Sequence, residues 1–129
     1  MMVFHPLVLA MTLTPAAAHS ALEGRWRNPS GTVIIVIATC DADVCGLVQW
    51  ASDKALDDAR KGGTEHFIGT EILHVSQAGN NLYRGKAFDP ESNMHIPATV
   101  RFVDAGTIEI QGCALFGLIC KTQRWTKVD

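Results

Sequence analysis

Short runs of apolar residues separated by turn-forming residues make up most of the chain, a pattern typical of β-strands joined by tight turns. The clearest run is residues 96–103, where every second residue from Ile96 to Phe102 is apolar. Such alternation predicts a strand with one buried face. Residues 33–38 instead form the continuous run VIIVIA, which predicts a strand that is covered on both faces.

Eight segments of this kind can be distinguished, at residues 24–27, 33–38, 46–50, 67–75, 82–88, 96–103, 108–111 and 119–128. Short groups of Asn, Asp, Gly and Pro separate most of them and favour hairpin turns. Successive hairpins give an antiparallel meander, and closing the meander into a barrel removes its free edges. We therefore predict an all-β fold, an antiparallel eight-stranded barrel, with a β-sandwich as the alternative. Such a barrel has room inside for side chains or one small ligand.

Residues 52–63 break the strand pattern and carry the signals of one short helix. Ser52 can cap its N-terminus, Asp53 follows on the side that favours acidic residues, and Lys61 falls in the last turn. Gly62 can take the left-handed position that ends a helix. Because the segment has few large apolar side chains, we expect the helix to lie on the surface and close one end of the sheet.

The N-terminal segment has the features of an export signal. No charged side chain precedes Glu23, and an apolar stretch at residues 6–15 is followed by three alanines that end at Ala18. This arrangement predicts a signal peptide at residues 1–18 and a single mature domain at residues 19–129. Its first residues lack the Lys or Arg that usually begins a signal peptide. The alternative to a signal peptide is a buried N-terminal strand or helix. The stretch is too short to span a membrane, so we expect a periplasmic or secreted protein without a transmembrane segment.

All four cysteines lie in the mature part of the chain, at Cys40, Cys45, Cys113 and Cys120. An even count in a short exported chain predicts disulfides. Of the three connectivities, we favour Cys40–Cys45 with Cys113–Cys120, because each pair flanks a predicted hairpin turn. A four-cysteine zinc site is the alternative, but it would lack the usual C-x2-C spacing. We expect neither a metal nor a cofactor.

Charge and aromatic content argue against nucleic-acid binding. The 129 residues carry a formal net charge of -2, which gives no basic footprint for a phosphate backbone. Aromatic residues make up 7% of the chain and are scattered, so they form no stacking platform. The tryptophans Trp26, Trp50 and Trp125 are expected to fill the core rather than to stack against sugars.

No arrangement of residues predicts a catalytic site. A hydrolase needs a nucleophile beside a base, and no serine lies in a G-x-S-x-G motif. His66, His74 and His95 are candidate bases. Strand alternation places His74 on the same side as Ile72, which allows it to point inward, and we expect a core or rim histidine there rather than a catalytic one. The Asp41-x-Asp43 turn is expected to be solvated rather than to hold a cation.

Two classes of function therefore remain. The first is a non-catalytic exported envelope protein that binds a small apolar ligand or a protein partner. The second is a small periplasmic enzyme that uses a histidine and an acid at the barrel mouth. An apolar cavity without a convergent polar cluster would favour the first class, whereas a histidine–carboxylate pair beside a wet cleft would favour the second.

The chain resembles a family of bacterial exported proteins known only as domain of unknown function 2147. The segments that carry the resemblance are residues 22–26 (LEGRW), 45–50 (CGLVQW), 68–73 (IGTEIL), 85–90 (GKAFDP) and 112–126 (GCALFGLICKTQRWT). Many members have an Asn-Pro-Asp-Pro-like loop after the third strand, and residues 52–60 replace it here. The resemblance implies a lipocalin-type barrel but no established activity.

The motif Gly24-x-Trp26 is also similar to the G-x-W feature of calycin barrels. In those proteins the tryptophan closes the barrel floor and a basic side chain of the last strand covers it. The resemblance implies that Trp26 has this role and that Arg124, beside Trp125 on the last strand, provides the cover through a cation–π contact.

Overall fold

Eight antiparallel strands form one closed barrel in the computed structural model, which describes residues 20–129. In chain order the elements are β1 (Gly24–Arg27), β2 (Val33–Cys40), β3 (Asp43–Ala51), α1 (Asp53–Lys61), β4 (Glu71–Gly79), β5 (Leu82–Asp89), β6 (Met94–Asp104), β7 (Thr107–Ala114) and β8 (Ile119–Lys127). Each strand pairs with the next, and β8 returns to β1. The predicted eight-stranded barrel is confirmed, and the β-sandwich is wrong. The predicted signal peptide, residues 1–18, lies outside the described residues.

The two ends of the domain meet where β1 joins β8. Trp26 pairs with Lys127 and Arg27 pairs with Thr126 across this seam. Beyond the paired residues, the backbone N–H of Val128 donates to the carbonyl oxygen of Arg25 at 2.8 Å. The first and last strands of the meander therefore close the sheet.

The barrel interior holds the core. Its largest fully buried side chains are Trp26, Leu22, Ile35, Ile37, Leu73, Ile108, Val75 and Val100. The alternation predicted for β6 is confirmed, since Ala98 and Val100 are buried and lie on the inner face. The prediction for β2 is wrong, because Ile34 and Val36 on its outer face are only half buried.

The two ends of the barrel differ. At one end are the tight turns β2–β3, β4–β5 and β6–β7, and Leu22 is fully buried there ahead of β1. Ser20 also reaches this end, where its hydroxyl lies 2.9 Å from the hydroxyl of Tyr83. We call this the closed end. The other end, which we call the mouth, carries the β1–β2, β5–β6 and β7–β8 connections and the α1 segment.

Helix α1 begins as the sequence predicts but ends differently. The Ser52 hydroxyl accepts a hydrogen bond from the Ala55 backbone N–H at 3.1 Å. Gly62 has a φ of −81°, so it continues the right-handed turn, and Gly63 takes the left-handed position at φ +100°. The expectation for Gly62 was therefore wrong by one residue. In the part of the chain that the structure describes, the helix is too short and too polar to cross a membrane.

The end of α1 packs against the β5–β6 turn. A Cβ atom at Gly62 would lie 2.2 Å from the carbonyl oxygen of Glu91, so only glycine allows this approach. The Thr64 hydroxyl donates to the carbonyl oxygen of Pro90 at 2.9 Å. Ala59 is buried against the core. The helix therefore spans part of the mouth, as expected of a helix that closes one end of the sheet.

Strand β4 begins four residues later than predicted, and this changes which side chains face inward. Residues 67–70 form an irregular segment in which Phe67 is buried. Within β4, Leu73 and Val75 are buried and His74 between them is exposed. The inward orientation that alternation allows for His74 is therefore not found. The interior takes the two aliphatic side chains, and alternation then sends the histidine to the outer wall.

Candidate functional site

A cavity of about 400 Å³ lies inside the barrel and opens at the mouth. The apolar residues that line it are Val33, Ile35, Ala55, Phe67, Ile72, Leu73, Ala87, Phe88, Pro90, Ile96, Ile110 and Trp125. The polar and charged residues are Asn28, Ser30, Thr32, Lys54, Asp58, Asp89, Glu91, Lys121 and Gln123. Most of the latter lie on the mouth connections, so the deeper wall is mainly apolar.

Strand β8 supplies the polar groups that reach furthest into this cavity. Trp125, Gln123 and Lys121 occupy alternate positions and share the inner face with Ile110 and Gly112 of β7. The buried indole of Trp125 donates its Nε1–H to the Gln123 side-chain oxygen at 3.0 Å. Lys121 lies nearer the mouth. Along β8, the cavity wall therefore changes from a buried aromatic ring in the interior to a cationic side chain near the mouth.

Trp26 fills the closed end as the resemblance implied. Its side chain is fully buried, and its Nε1–H donates to the carbonyl oxygen of Leu22 at 2.8 Å. The ring of Phe102 meets it edge-on at a centroid distance of 6.3 Å. Gly24 has a φ of +136°, a backbone conformation that favours glycine.

The basic cover over Trp26 is Lys127, not Arg124. The Lys127 Nζ lies 5.6 Å from the centroid of the indole ring. Arg124 faces the outer wall, where its Nε lies 3.6 Å from a carboxylate oxygen of Glu109. Alternation along β8 explains the error, because Trp125 and Lys127 face inward and the residue between Gln123 and Trp125 must face outward.

The three tryptophans have different environments. Trp26 and Trp125 are buried, in agreement with the expectation that they fill the core. The expectation is wrong for Trp50, whose side chain is 46% exposed on the outer face of β3. A β-bulge is the reason, because Ile35 pairs with Val48 and Ile34 with Trp50, so the extra residue Gln49 shifts Trp50 from the inner to the outer face.

A second group of polar residues, which we call the outer-wall cluster, consists of Asp43, Glu71, His74 and the Cys40–Cys45 disulfide. The His74 Nε2 lies 2.8 Å from the Asp43 carboxylate, and its Nδ1 lies 2.9 Å from that of Glu71. Both carboxylates accept hydrogen bonds from the ring and so raise the pKa of His74 above its ordinary value, with the larger effect from Asp43 and the next from Glu71. The Cys45 sulfur lies 3.3 Å from the same Nδ1.

The two disulfides join Cys40 to Cys45 and Cys113 to Cys120, which is the local pairing. The first flanks the β2–β3 turn at the closed end, and the second joins β7 to β8 next to the mouth. Because the two pairs lie at opposite ends of the barrel, the four cysteines do not converge on one metal ion. The four-cysteine zinc alternative is therefore wrong.

The candidate histidines lie in three settings. His66 is exposed in the loop before β4, where its carbonyl oxygen accepts a hydrogen bond from the Thr70 hydroxyl at 2.6 Å. His95 of β6 lies with its ring 5.0 Å from that of Phe88. His74 and His95 both line a surface groove of about 560 Å³ on β4 to β6. Sequence reasoning missed the outer-wall cluster, and only the pairing of Cys45 with His74 across β3 and β4 could have indicated it.

Comparison with known proteins agrees with the barrel. Protein HP1028 from the human pathogen Helicobacter pylori, which belongs to the lipocalin family, superposes with a TM-score of 0.61 at 12% identity. The match covers 84% of this chain and 83% of that protein, and it supports the lipocalin-type fold. No curated protein matches the chain. A family profile described as "Uncharacterized protein conserved in bacteria (DUF2147)" matches residues 24–127. The chain therefore belongs to the DUF2147 family, as the motifs in its sequence implied.

Proposed function

We propose that this protein is a non-catalytic exported protein of the bacterial envelope that binds one small amphipathic ligand inside its barrel. The observation that carries this proposal is the cavity of about 400 Å³ open at the mouth. Sites for small molecules commonly have volumes of about 300–1,000 Å³ and walls that are mostly apolar. A barrel that acted only through its surface would have no need of an internal space of this size.

The lining favours a ligand with an apolar body and a polar or anionic head. The deeper wall offers aliphatic side chains such as Ile35 and Leu73, together with the ring of Trp125. Removing apolar ligand surface from water against this wall is favourable by roughly 25 cal/mol per Å². Lys121 and Gln123 on β8 would hold the head group, since one offers a positive charge and the other an amide.

The histidine–carboxylate contacts lie beside the groove of the outer wall, a setting that by itself suits an enzyme, but they are not at the mouth, where the proposed ligand cavity opens. The alternative enzyme would need such a pair at the mouth, whereas His74 and its two carboxylate partners lie on the outer wall. The cavity instead has a graded wall suited to holding a ligand. Two disulfides fit a protein of an oxidising compartment, in keeping with the proposed export to the periplasm or beyond.

Titration with 1-anilinonaphthalene-8-sulfonate, an apolar fluorophore with one negative charge, tests this function. We expect saturable binding of one probe per chain, with quenching of tryptophan fluorescence because Trp125 lines the cavity. Ala87→Phe adds an aromatic ring to the cavity wall and should weaken binding by at least about tenfold. Ala38→Phe, the same change on the exposed face of β2, should leave binding unchanged.

A second pair of variants tests the head-group site. Lys121→Gln removes the positive charge at the mouth and should weaken binding of the anionic probe several-fold. Arg124→Gln removes an equal charge from the outer wall of the same strand and serves as its control. Non-saturable binding, or equal binding by wild type and Ala87→Phe, would contradict a ligand site inside the barrel.

A further inference from the structure

The outer-wall cluster brings together four side chains whose donor atoms suit a zinc ion. The sulfurs of Cys40 and Cys45 and a ring nitrogen of His74 all lie within 4.8 Å of one another. A carboxylate oxygen of Glu71 lies 2.9 Å from the His74 Nδ1. We propose that reduction of the Cys40–Cys45 disulfide converts this cluster into a zinc site with Cys40, Cys45, His74 and Glu71 as ligands.

The distances leave little to rearrange. Tetrahedral zinc, with bonds of about 2.3 Å to sulfur and 2.0–2.1 Å to nitrogen, places a sulfur and a nitrogen ligand about 3.5 Å apart. The Cys45 sulfur and the His74 Nδ1 are already 3.3 Å apart. Once the S–S bond is broken, the two sulfurs need to separate to about 3.8 Å to share the ion. Glu71 is exposed, so its carboxylate can retreat by the few tenths of an ångström that zinc requires.

Asp43 would orient the histidine without touching the ion. The Nδ1 of His74 faces the sulfur, and its Nε2 lies 2.8 Å from the Asp43 carboxylate. A ligating histidine commonly donates its other ring N–H to a carboxylate, which fixes both the tautomer and the ring orientation. Asp43 is therefore a positioning residue of the proposed site.

The sheet holds these residues on three neighbouring strands. Cys40 pairs with Asp43 across β2 and β3, and Cys45 pairs with His74 across β3 and β4. Ladder hydrogen bonds thus fix the spacing between the donors before any metal binds. A site on paired strands is preorganised to a degree that a site on a mobile loop is not.

The charges also favour a dication once the thiols are ionised. Asp43 and Glu71 each carry a carboxylate, and the two thiolates add two further negative charges. Lys86 of β5, which pairs with His74, is the opposing cation on the neighbouring strand. Thiolate, imidazole and carboxylate together are the donor set that zinc uses in proteins.

The redox step is balanced by a dithiol reductant. Two electrons and two protons pass from the dithiol to the Cys40–Cys45 bond, so that this S–S bond breaks, two thiols form and the reductant becomes a disulfide. Zinc then displaces three protons to solvent, two from the thiols and one from the His74 Nδ1, as two zinc–sulfur bonds and one zinc–nitrogen bond form, while the Nε2 proton stays on the ring. The oxidised chain lacks both thiolates, so the disulfide switches the site off.

The test uses the full mature chain, reduced with dithiothreitol, freed of reductant without air and titrated with Co²⁺. We expect one Co²⁺ per chain, with the thiolate-to-cobalt charge-transfer absorption and the visible bands of tetrahedral cobalt, and displacement by Zn²⁺. The oxidised chain should show neither absorption. A reduced wild-type chain that remains folded by circular dichroism and gives no such absorption would overturn the proposal.

Paired variants locate the ion. The double substitution Cys40→Ser and Cys45→Ser should abolish the charge-transfer absorption, whereas Cys113→Ser with Cys120→Ser should retain it. Retention by the first variant, or loss in the second, would assign the metal elsewhere and refute the site. If the first variant does not fold, His74→Ala decides the matter, since it keeps all cysteines and should bind Co²⁺ at least about tenfold more weakly.

A final pair tests the positioning residue. Asp43→Asn should weaken Co²⁺ binding by about 10- to 100-fold, with the same absorption bands at saturation, because the ligands themselves are unchanged. Asp41→Asn removes an equal charge from the exposed tip of the same turn and should leave the affinity unchanged. Equal loss in both variants would reduce the role of Asp43 to general electrostatics and contradict its assignment.

Discussion

Trp26 is anchored by contacts on several sides, and these should differ in energetic weight. Burial of the indole removes a large apolar surface from water, while the hydrogen bond to Leu22 satisfies its only donor. Lys127 adds a cation–π contact from an exposed position. Burial should therefore dominate, and the cation should contribute a minor part.

Three alanine substitutions should rank in that order in urea unfolding. Trp26→Ala should lower the free energy of unfolding by about 3–5 kcal/mol, because it leaves a large cavity in the core. Lys127→Ala should cost about 0.5–1 kcal/mol, the usual value of an exposed cation–π contact. Arg124→Ala should cost less than Lys127→Ala, because it removes only a solvent-exposed ion pair. Greater damage from Arg124→Ala would show that the cover over Trp26 is misassigned.

The role of Trp26 can be predicted from the sequence because the G-x-W motif is local. The basic residue that covers Trp26 cannot, because its identity depends on which side chains of the distant strand β8 face inward. Lys127 and Arg124 are three residues apart and lie on opposite faces of β8. Either one suits the chemistry of a cation over an indole. Only the register that pairs Trp26 with Lys127 selects between them.

Helix α1 shows the same division at the scale of an element. Its beginning depends on Ser52, a capping residue whose effect is local, and its position was predictable. Its end depends on Gly62, whose lack of a side chain lets the backbone approach Glu91 of the β5–β6 turn. A contact between segments so far apart in the chain leaves no signal in the residues around the glycine.

Gly62→Ala should therefore destabilise the fold by about 1–3 kcal/mol, since its methyl group would overlap the backbone of Glu91. Gly106→Ala is the matched control, because a Cβ there meets its nearest neighbour, the Asp104 side chain, at an ordinary 3.8 Å. That control should be neutral or slightly stabilising. Thermal unfolding of both variants measures the difference, and equal melting temperatures would show that the mouth adapts freely.

Strand β4 explains why the outer-wall cluster was missed. The sequence pattern extends the strand back to residue 67, and this puts Ile72 and His74 on one face and allows that face to point inward. In the structure, Leu73 and Val75 take the interior. Register then sets His74 opposite Cys45. To predict a site that several strands build, one must know which face of each strand points inward and how neighbouring strands are paired. Alternation does not determine the inner face when apolar residues occupy both odd and even positions, and it does not determine the pairing.

At the scale of the whole molecule, the barrel was predictable because each connection except the α1 segment is a short hairpin. A meander of eight such strands leaves two edges, and pairing them is the simplest way to cover both. The cavity could not be predicted in the same way. Its volume depends on how Trp26, Trp125 and their neighbours pack, which no linear pattern specifies.

If the chain is exported as proposed, its four cysteines should include no free thiol. Cys40–Cys45 and Cys113–Cys120 each close a short loop, and in an oxidising compartment both should be formed. Mass spectrometry after alkylation without reductant should find no labelled cysteine and should begin the mature chain at His19. A peptide that joins Cys40 to Cys113 would contradict the local pairing, and an uncleaved N-terminus would contradict the predicted signal.

The seam between β1 and β8 should be the first part of the barrel to open. Two residue pairs join these strands, whereas eight pairs join β5 to β6. The seam also joins the first and last strands of the barrel, which no hairpin turn links covalently, so fewer constraints oppose its local opening. Hydrogen bonds in such regions exchange through local fluctuations that cost less free energy than global unfolding.

Native-state hydrogen exchange of the oxidised protein measures this difference. Amides of β1 should exchange before those of β6 at every denaturant concentration below the unfolding transition, and the two rates should merge once global unfolding dominates. Trp26→Ala should speed exchange in β1 more than in β6, because the indole of Trp26 is what ties β1 to the core. Uniform protection of the two strands would mean that the barrel opens only as a whole, and that the core contacts of Trp26 make up for the short ladder at the seam.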